Sequence, residues 1–391
     1  NVPEEGTTLV IGYVGMVTKE VDIRGKSSVT VVLESDMAQL SEVVVVGYGT
    51  QKRESVVAAV TQTTGKVLER AGGVSSIGAA LTGNVPGVIT SASTGMPGEE
   101  DPQILIRGRS TWNNTSPLIL VDGIERPMTS VDIGSVESIS VLKDASATAV
   151  FGVRGANGVI LITTKRGREG KASIRGTVNN VAKVPSKLPG KYDAYDALRI
   201  RNEVIEYELA LRPESWNDIL PQSVIDKYRF PADLAEAERY PNVNWDEVLF
   251  KDYAMSHNAN LNISGGTNKV KYFASADYLY EGDLFRTFEN NRGYEPGYGF
   301  NRLNMRSNLD FQLAKTTSLK ANISGSRGVK KMPWGANNGD YNYWISAYST
   351  APNVFMPQYS DGTWGYHAPN VQRGLNSARI LAMSGVSFTT T

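Results

Sequence analysis

Two segments combine aromatic, amide and hydroxyl side chains, the groups that stack on sugar rings and hydrogen-bond sugar hydroxyls. The first covers residues 109–116, and the second, which is rich in Trp, Tyr, Asn and Asp, covers residues 334–364. Both are expected to be loops that contact a carbohydrate, and the alternative is that their tryptophans pack inside the protein. The candidate ligand-contacting residues are Trp112, Asn113, Asn114, Trp334 and Trp364.

Catalytic and metal-binding chemistry finds little support in the composition. The chain has no cysteine, which excludes a cysteine nucleophile, a zinc ribbon and a disulfide scaffold. Its two histidines, His257 and His367, have no partner at metal-ligand spacing, and Asp361-Gly362 is typical of a turn rather than of a calcium loop. Lys plus Arg equals Asp plus Glu at 40 each, so a basic nucleic-acid-binding surface is not expected. We therefore expect no enzyme activity, no cofactor, no metal and no nucleic-acid partner.

A run of four valines, Val43–Val46, lies between two polar segments. Its β-branched residues predict a strand, and the polar flanks favour an exposed one. A partner protein can grip an exposed strand by β-augmentation, in which main-chain hydrogen bonds supply the affinity. The alternative is an ordinary buried strand of the adjoining domain. If a partner protein binds this strand, the residues that couple the protein to that partner are Glu42, Val43, Val44, Val45, Val46 and Gly47.

Residues 50–168 mix short helices and strands and predict a small α/β domain. One predicted helix covers residues 144–152, with Asp144 as its N-cap and Gly152 as its C-cap. Two further helices are predicted at about 65–70 and 75–83, and strands at 103–108, 118–123, 136–143 and 158–165.

From about residue 170, polar and apolar residues alternate with a period of two, which is typical of β-strands. A tilted strand needs about 9–11 residues to cross the hydrocarbon core of a membrane. One fully polar face, and an apolar face with tyrosines near its end, fit a membrane barrel with five or six of its strands in this chain. The alternative is a soluble β-sandwich with one wet face. The alternating runs are 257–264, 269–280, 302–313 and 318–326.

The alternation assigns each side chain to one face, because a slip of one residue would invert both faces. Arginine should therefore be destabilising at Leu309 and nearly neutral at Asn308. Within 302–313, the predicted lipid-facing residues are Leu303, Met305, Leu309 and Phe311, and the predicted lumen-facing residues are Arg302, Asn304 and Arg306.

The remaining segments complete the predicted domain organisation. Three β runs, at 8–13, 19–23 and 28–34, predict part of a β-sandwich before the valine run. A long insert between about 185 and 250 carries a helix-like stretch around Tyr195–Leu211. The predicted boundaries are 1–35 for the partial sandwich, 36–49 for the linker with the valines, 50–168 for the α/β domain and 169–391 for the barrel strands and their loops.

Taken together, these segments resemble the SusC/RagA family of TonB-dependent receptors. The resemblance implies a mixed fold: a small α/β plug domain inside an antiparallel transmembrane β-barrel, of which only the first strands are present. The segment before it resembles the tail of a carboxypeptidase-regulatory-like extension, a name that describes a fold. The residues that carry the resemblance are Leu40–Arg53, Ile106–Gly108, Leu120–Ile124, Val141–Ala147 and Phe151–Lys165.

The same resemblance implies a function. It makes the valine run a TonB box and the protein an importer of oligosaccharides in the Gram-negative outer membrane. Its partners would be the TonB C-terminal domain, a SusD-like surface lipoprotein and outer-membrane lipid, with a dimer of transporter–lipoprotein pairs as a further expectation. Peptide import is the nearest variant, and a surface receptor or adhesin that does not transport is another. Arg107, Arg109 and Arg154 lie beside glycines near strand ends and are expected to hold the plug in the barrel. The resemblance implies that Arg107 meets barrel carboxylates, and the alternative is that these arginines are solvated.

Overall fold

The amino-terminal segments form two separate hairpins. Strand β1 (Thr8–Ile11) pairs with β2 (Lys19–Asp22), and β3 (Val43–Val46) pairs with β4 (Gly49–Lys52), both antiparallel. The third predicted run, 28–34, lies outside the described residues except for Val31. The computed structural model describes residues 8–11, 19–22, 31, 43–46, 49–52, 60–70, 76–91, 95–98, 102–108, 115–188, 190–334, 349–365 and 385–390.

The α/β domain is built on a five-stranded sheet among the described residues, with the strand order β5-β10-β11-β8-β9. Strands β11 and β8 are parallel, and the other neighbours are antiparallel. Strands β6 and β7 form a separate antiparallel hairpin. The elements are β5 (Val60–Thr64), α1 (Gly65–Glu69), α2 (Ile77–Leu81), β6 (Val88–Ser91), β7 (Gln103–Ile106), β8 (Leu118–Val121), β9 (Ile124–Glu125), β10 (Val136–Leu142), α3 (Ala145–Thr148) and β11 (Val159–Thr164).

The central strand β11 is apolar on both faces. Ile160 and Ile162 pack into the larger core with α1 and α2, whereas Val159 and Leu161 pack into a smaller cluster on the other side. A strand that is covered on both faces reads as a continuous apolar run rather than an alternating one. This is why the sequence shows an uninterrupted run here and an alternating pattern after residue 170.

The predicted helix at 144–152 is shorter than expected. Asp144 occupies the N-cap position, but its side chain makes no capping hydrogen bond and instead pairs with Arg107. The helix ends at Thr148, and a 3-10 segment, Ala149–Gly155, follows. Gly152 does not cap a helix, because its φ of 58° and ψ of −143° interrupt that segment.

In the described part of the chain, six further strands form one antiparallel sheet in sequence order. Its short connections, 267–269 and 315–316, lie at one end, called here the short-turn end. Its long connections, 184–253, 282–298 and 335–384, lie at the other, called the long-loop end. The strands are β12 (Gly170–Lys183), β13 (Ala254–Gly266), β14 (Val270–Glu281), β15 (Gly299–Ala314), β16 (Thr317–Trp334) and β17 (Gly385–Thr390).

Strand β15 confirms the assignment of two faces. Arg302 and Asn304 are 6% and 2% exposed, whereas Leu303 and Met305 between them are 38% and 54% exposed. The polar residues are therefore the buried ones, which is the reverse of a water-soluble sheet with an apolar core. They are buried because this face packs against the α/β domain.

The long connections hold two apolar clusters. Helix α4 (Ala194–Glu208) begins at Asp193, whose carboxylate accepts a hydrogen bond from the Asp196 amide at 2.8 Å, and it packs with α5 (Gln222–Ile225). Next come α6 (Leu234–Arg239) and α7 (Trp245–Leu249). No helix among the described residues has the length and apolarity needed to cross a membrane. The second cluster, called here the cap, buries Val243, Trp245, Leu249, Phe250, Phe285, Tyr298, Val354 and Phe355.

Candidate functional site: the polar contact between the α/β domain and the sheet

The centre of the contact is the carboxylate of Asp122. Asp122 and Gly123 form the two-residue turn between β8 and β9, and both have positive φ, 48° and 86°, as such hairpin turns require. The carboxylate accepts hydrogen bonds from the Thr164 amide at 2.9 Å and the Thr164 hydroxyl at 2.7 Å. On its other side it accepts one from Arg306 Nη1 of β15 at 3.2 Å. One carboxylate thus joins two strands of the domain to the sheet.

Asn308 makes a second bridge, one step along β15. Its side-chain amide donates to the Thr164 hydroxyl and to the Lys165 carbonyl, both at 2.8 Å, and the residue is 1% exposed. Thr164 therefore contacts both Asp122 and Asn308. Polar groups thus hold the end of β11 against the sheet.

Asp132 makes a third bridge, to β13 and β14. Its carboxylate accepts hydrogen bonds from the Asn260 amide at 2.9 Å and the Ser275 hydroxyl at 3.5 Å. Gly134 lies against the same asparagine, and a Cβ at this position would be 2.6 Å from Asn260 Oδ1. Glycine is therefore needed here for the domain to approach the sheet this closely.

Ion pairs continue the contact near the short-turn end. Arg166 pairs with Asp310 of β15 at 2.6 Å, and Glu69 of α1 pairs with Arg175 of β12 at 3.0 Å. A cavity of about 160 Å³ between the domain and the sheet is lined largely by Asn, Asp, Arg and Glu side chains, Arg302 among them. A cavity with such a lining suits water. Water can therefore replace these contacts when the two parts separate.

Two of the three arginines predicted to hold the domain make ion pairs within the domain itself. Arg107 pairs with Asp144 and Arg154 pairs with Glu125, so both contact carboxylates of the α/β domain itself. Arg107 directly follows β7 and has a φ of 60°. Arg109 lies outside the described residues. In the described part of the chain the bridges come from other residues, whose contacts across the interface were not predicted, although Arg306 and Asn308 were assigned to the polar face: Asp122, Asp132, Arg166, Arg175, Arg306 and Asn308.

The ligand candidates fall into different environments. Trp112, Asn113 and Asn114 lie outside the described residues. Trp334 ends β16 at the long-loop end with 68% of its surface exposed. Trp364 is partly buried against the cap and packs edge-on against Phe288, with ring centroids 5.8 Å apart. Trp334 is therefore free to contact a ligand, whereas Trp364 contributes to packing.

The coupling candidates are only partly described. Glu42 and Gly47 lie outside the described residues, and Val43–Val46 form β3, which is hydrogen-bonded to β4 along one edge. Among the described residues, no group of three or more His, Cys, Asp or Glu is placed to hold a metal. His257 faces away from the α/β domain, where Nδ1 is 2.7 Å from Asn180 Oδ1 and the ring stacks on Tyr280.

Comparison with known proteins decides the family. Residues 52–159 match the model described as the TonB-dependent Receptor Plug Domain. The chain is 30% identical over 325 residues to TonB-dependent receptor P26 of Formosa agariphila, which covers 81% of this chain and 30% of that protein. It is 28% identical over 389 residues to TonB-dependent receptor SusC of Bacteroides thetaiotaomicron, which covers 93% of this chain and 35% of that protein. The chain belongs to the SusC/RagA family of TonB-dependent receptors.

Solved structures show the same fold. The RagAB peptide importer in its open-open state superimposes with a TM-score of 0.60 and 23% identity over 83% of this chain and 36% of that one. The chain thus spans about a third of the length of these SusC/RagA relatives. The predicted fold class is confirmed: the α/β domain is the plug, and the six-stranded sheet, called here the wall, consists of barrel strands.

Proposed function

We propose that the full-length protein containing this chain imports oligosaccharides across the Gram-negative outer membrane. Import would be driven by the TonB C-terminal domain and assisted by a SusD-like surface lipoprotein, in a dimer of such pairs. The observation that carries the proposal is the polar plug–wall contact, in which Asp122 and Asp132 bond residues of the wall. Water can replace the hydrogen bonds of such a plug when it leaves its place, whereas separating two apolar surfaces would expose both surfaces to water.

The outward face of the wall supports a position in the membrane. Rows of residues paired across the strands are apolar there, for example Leu261–Ala276–Met305. From Val270 to Tyr278 the strand advances eight residues, which is roughly 26 Å at about 3.3 Å per residue. For a strand tilted by about 40°, this length projects to about 20 Å along the membrane normal, which fits within the apolar band of about 25 Å that outer-membrane barrels present to lipid. Tyr272 lies near one edge of the band, and Tyr278 and Tyr280 near the other, as interfacial aromatic girdles require.

The loops orient the wall in that membrane. Outer-membrane barrels have short turns on the periplasmic side and long loops outside. The turns 267–269 and 315–316 therefore lie in the periplasm, and the cap lies on the cell surface. Strand β12 begins at the short-turn end, beside the turn 267–269. The plug and the valine run precede β12 in the chain, so the valine run would lie on the periplasmic side, where TonB acts.

Energy for opening must come from a partner, because an outer membrane holds no ATP and sustains no ion gradient. In this proposal, Val43–Val46 are the core of the segment that TonB binds and pulls, residues 42–47, called here the handle. TonB would add a strand to this run by β-augmentation, with main-chain hydrogen bonds as the grip. A surface receptor or adhesin would need no such handle, which is why transport is the proposal and adhesion the alternative.

The substrate class rests on the exposed Trp334 and on the residue types of segment 109–116. An aromatic face beside amides and hydroxyls suits sugars. Peptide import is the second candidate, and it is favoured by the fold likeness to the RagAB peptide importer. The test is growth of a strain that lacks the full-length protein on a panel of purified glycans and peptides as sole nutrients. Loss of growth on a glycan supports the proposal, loss on peptides supports the second candidate, and unchanged growth on all of them contradicts import.

A further inference from the structure

One plug residue is packed among the surface loops rather than in the plug. Met96 is 1% exposed and belongs to the cap, where it joins Trp245, Leu249 and Phe355. These cap residues come from the connections at the long-loop end of the sheet. In the described part of the chain, Met96 is the plug residue that enters this cluster.

The residues beside Met96 are tied to the wall by polar contacts. The Gly98 amide donates a hydrogen bond to Glu281 Oε2 at 2.9 Å, and Glu281 Oε1 pairs with Lys183 at 3.2 Å. Glu281 is 1% exposed. Gly98 has a φ of 77°, and a Cβ there would be 2.7 Å from the Phe300 ring. A buried charge with two partners, and a glycine with no room for a side chain, fix this segment in one position.

The same segment lies on the path between β6 and β7 and is continuous with the plug core. Ile104 and Ile106 of β7 are buried in that core. The other end of the hairpin is closed by a hydrogen bond from the Arg107 amide to the Gly87 carbonyl at 3.1 Å. Residues 95–98 are thus joined in the chain to two strands whose residues pack in the plug core.

We propose that residues 95–98 are a latch that couples the surface cap to the plug. The latch stabilises the plugged state when the cap is packed, and it weakens that state when a ligand or partner rearranges the cap. Coupling between two sites is a free energy carried by contacts that both share, and the shared contacts here are Met96 in the cap and Gly98 on Glu281. The inference rests on the proposed function, because it requires a plug that closes a pore.

A pair of leucines in the same surface insert allows a matched test. Leu249 and Leu198 are 0% and 3% exposed, but Leu249 belongs to the cluster that contains Met96, whereas Leu198 packs with Ile225 and Tyr228. The full-length protein is inserted in a planar bilayer, and KCl conductance is recorded while urea is raised to release the plug. At a fixed urea concentration, we expect the pore of the Leu249→Ala variant to open at least about tenfold more often than that of wild type. Truncating a buried leucine to alanine costs more free energy than a tenfold change in an equilibrium constant represents. Leu198→Ala should open like wild type.

The latch residue itself gives the second arm. Met96→Ala should open about as often as Leu249→Ala, and Met96→Leu, which conserves volume, should return toward wild type. Met305→Ala is the control, because Met305 is 54% exposed on the outward face. Heat-modifiable gel mobility checks that each barrel is folded.

The outcomes distinguish a failure of the latch proposal from a failure of the proposal that the plug closes a pore. If Leu249→Ala and Leu198→Ala open equally often, or if Met96→Ala opens like wild type, the latch is refuted and the plugged pore stands. If inserted wild-type protein shows no urea-dependent conductance, the plugged pore is refuted and the latch with it.

Discussion

Asp122 in the plug and Arg306 in the wall form an ion pair, in which Arg306 Nη1 is 3.2 Å from Asp122 Oδ2. The side chain of Asp122 is only 10% exposed and that of Arg306 only 5%. The pair lies between a turn of the plug and the middle of β15. Removing one partner of a buried pair leaves the other charged and uncompensated, which costs about 3–5 kcal/mol. This relationship makes Asp122 the centre of the plug–wall contact.

The first prediction follows from that pair. Arg306→Ala should release the plug at lower urea, and Asp122→Ala should do so at lower urea still, because Asp122 also accepts two hydrogen bonds from Thr164, whose hydroxyl in turn accepts one from Asn308 of the wall. The measurement is the urea dependence of KCl conductance through the full-length protein. Arg327→Ala is the control, since Arg327 is exposed and alternates onto the outward face. Release of the plug by Arg327→Ala at the same urea concentration would contradict the assignment.

The second prediction concerns the membrane face. Met305→Arg should cost about 2–4 kcal/mol of barrel stability, because its side chain would lie near the middle of the apolar band. Ser318→Arg, on the polar face and exposed, should be nearly neutral. Heat-modifiable mobility across a urea series compares the two variants, and equal losses of folded barrel would show that the faces are assigned wrongly.

Asn308 is unsuitable as the neutral control that the alternation alone indicates. Its amide makes two hydrogen bonds at 2.8 Å to the plug, and it is 1% exposed. An arginine there would lose both bonds and lack space. We therefore expect Asn308→Arg to loosen the plug while leaving the barrel folded, which conductance and gel mobility distinguish.

The third prediction concerns the handle. Deleting residues 42–47 should abolish uptake while ligand binding to the purified protein stays intact, because the handle contributes to neither the barrel nor the surface site. Val44→Pro should be nearly as damaging, since proline removes an N–H from the added strand. Val44→Thr should be tolerated, because threonine is also β-branched and main-chain bonds dominate. Growth on the cognate nutrient is measured beside ligand binding, and normal uptake by the deletion strain would contradict the role.

The fourth prediction concerns pH. Asp283 lies beyond the end of β14, and burial raises the pKa of its carboxyl to about 7, although the Phe285 and Tyr298 amides oppose the shift. The pKa of this carboxyl in the unfolded chain is about 3.9, so the folded state binds the proton more tightly than the unfolded state does. The stability this gives the cap is full below about pH 4 and is lost as the pH rises through about 7.

The measurement is protease resistance of the surface loops between about pH 5 and pH 8. Wild type should become more sensitive as the pH rises, and Asp283→Asn should change little, because its side chain does not titrate. Asp252→Asn, at an exposed neighbour, should behave like wild type. A wild-type cap that is equally resistant at both ends of this range would refute the role of Asp283.

The sequence predicts the wall better than it predicts the contacts of the plug. Alternation along β15 assigns Arg302 and Leu303 to opposite faces because a period of two is a local property. The partner of Arg107 is not local: Asp144 and a wall carboxylate are equally compatible with the sequence. Met96 gives no signal at all, since nothing near it in the chain indicates that its neighbours in space are Trp245 and Phe355.

Among the described residues, the two apolar clusters of the plug are formed by residues between 60 and 162. In this part of the chain the wall contributes hydrogen bonds and charges to the plug, and its residues are not members of those two clusters. The plug therefore has the makings of an autonomous folding unit, able to reach its native packing before any strand enters the membrane. In the proposed importer, such a plug would be displaced as an intact body, and opening the pore would not require the plug to unfold.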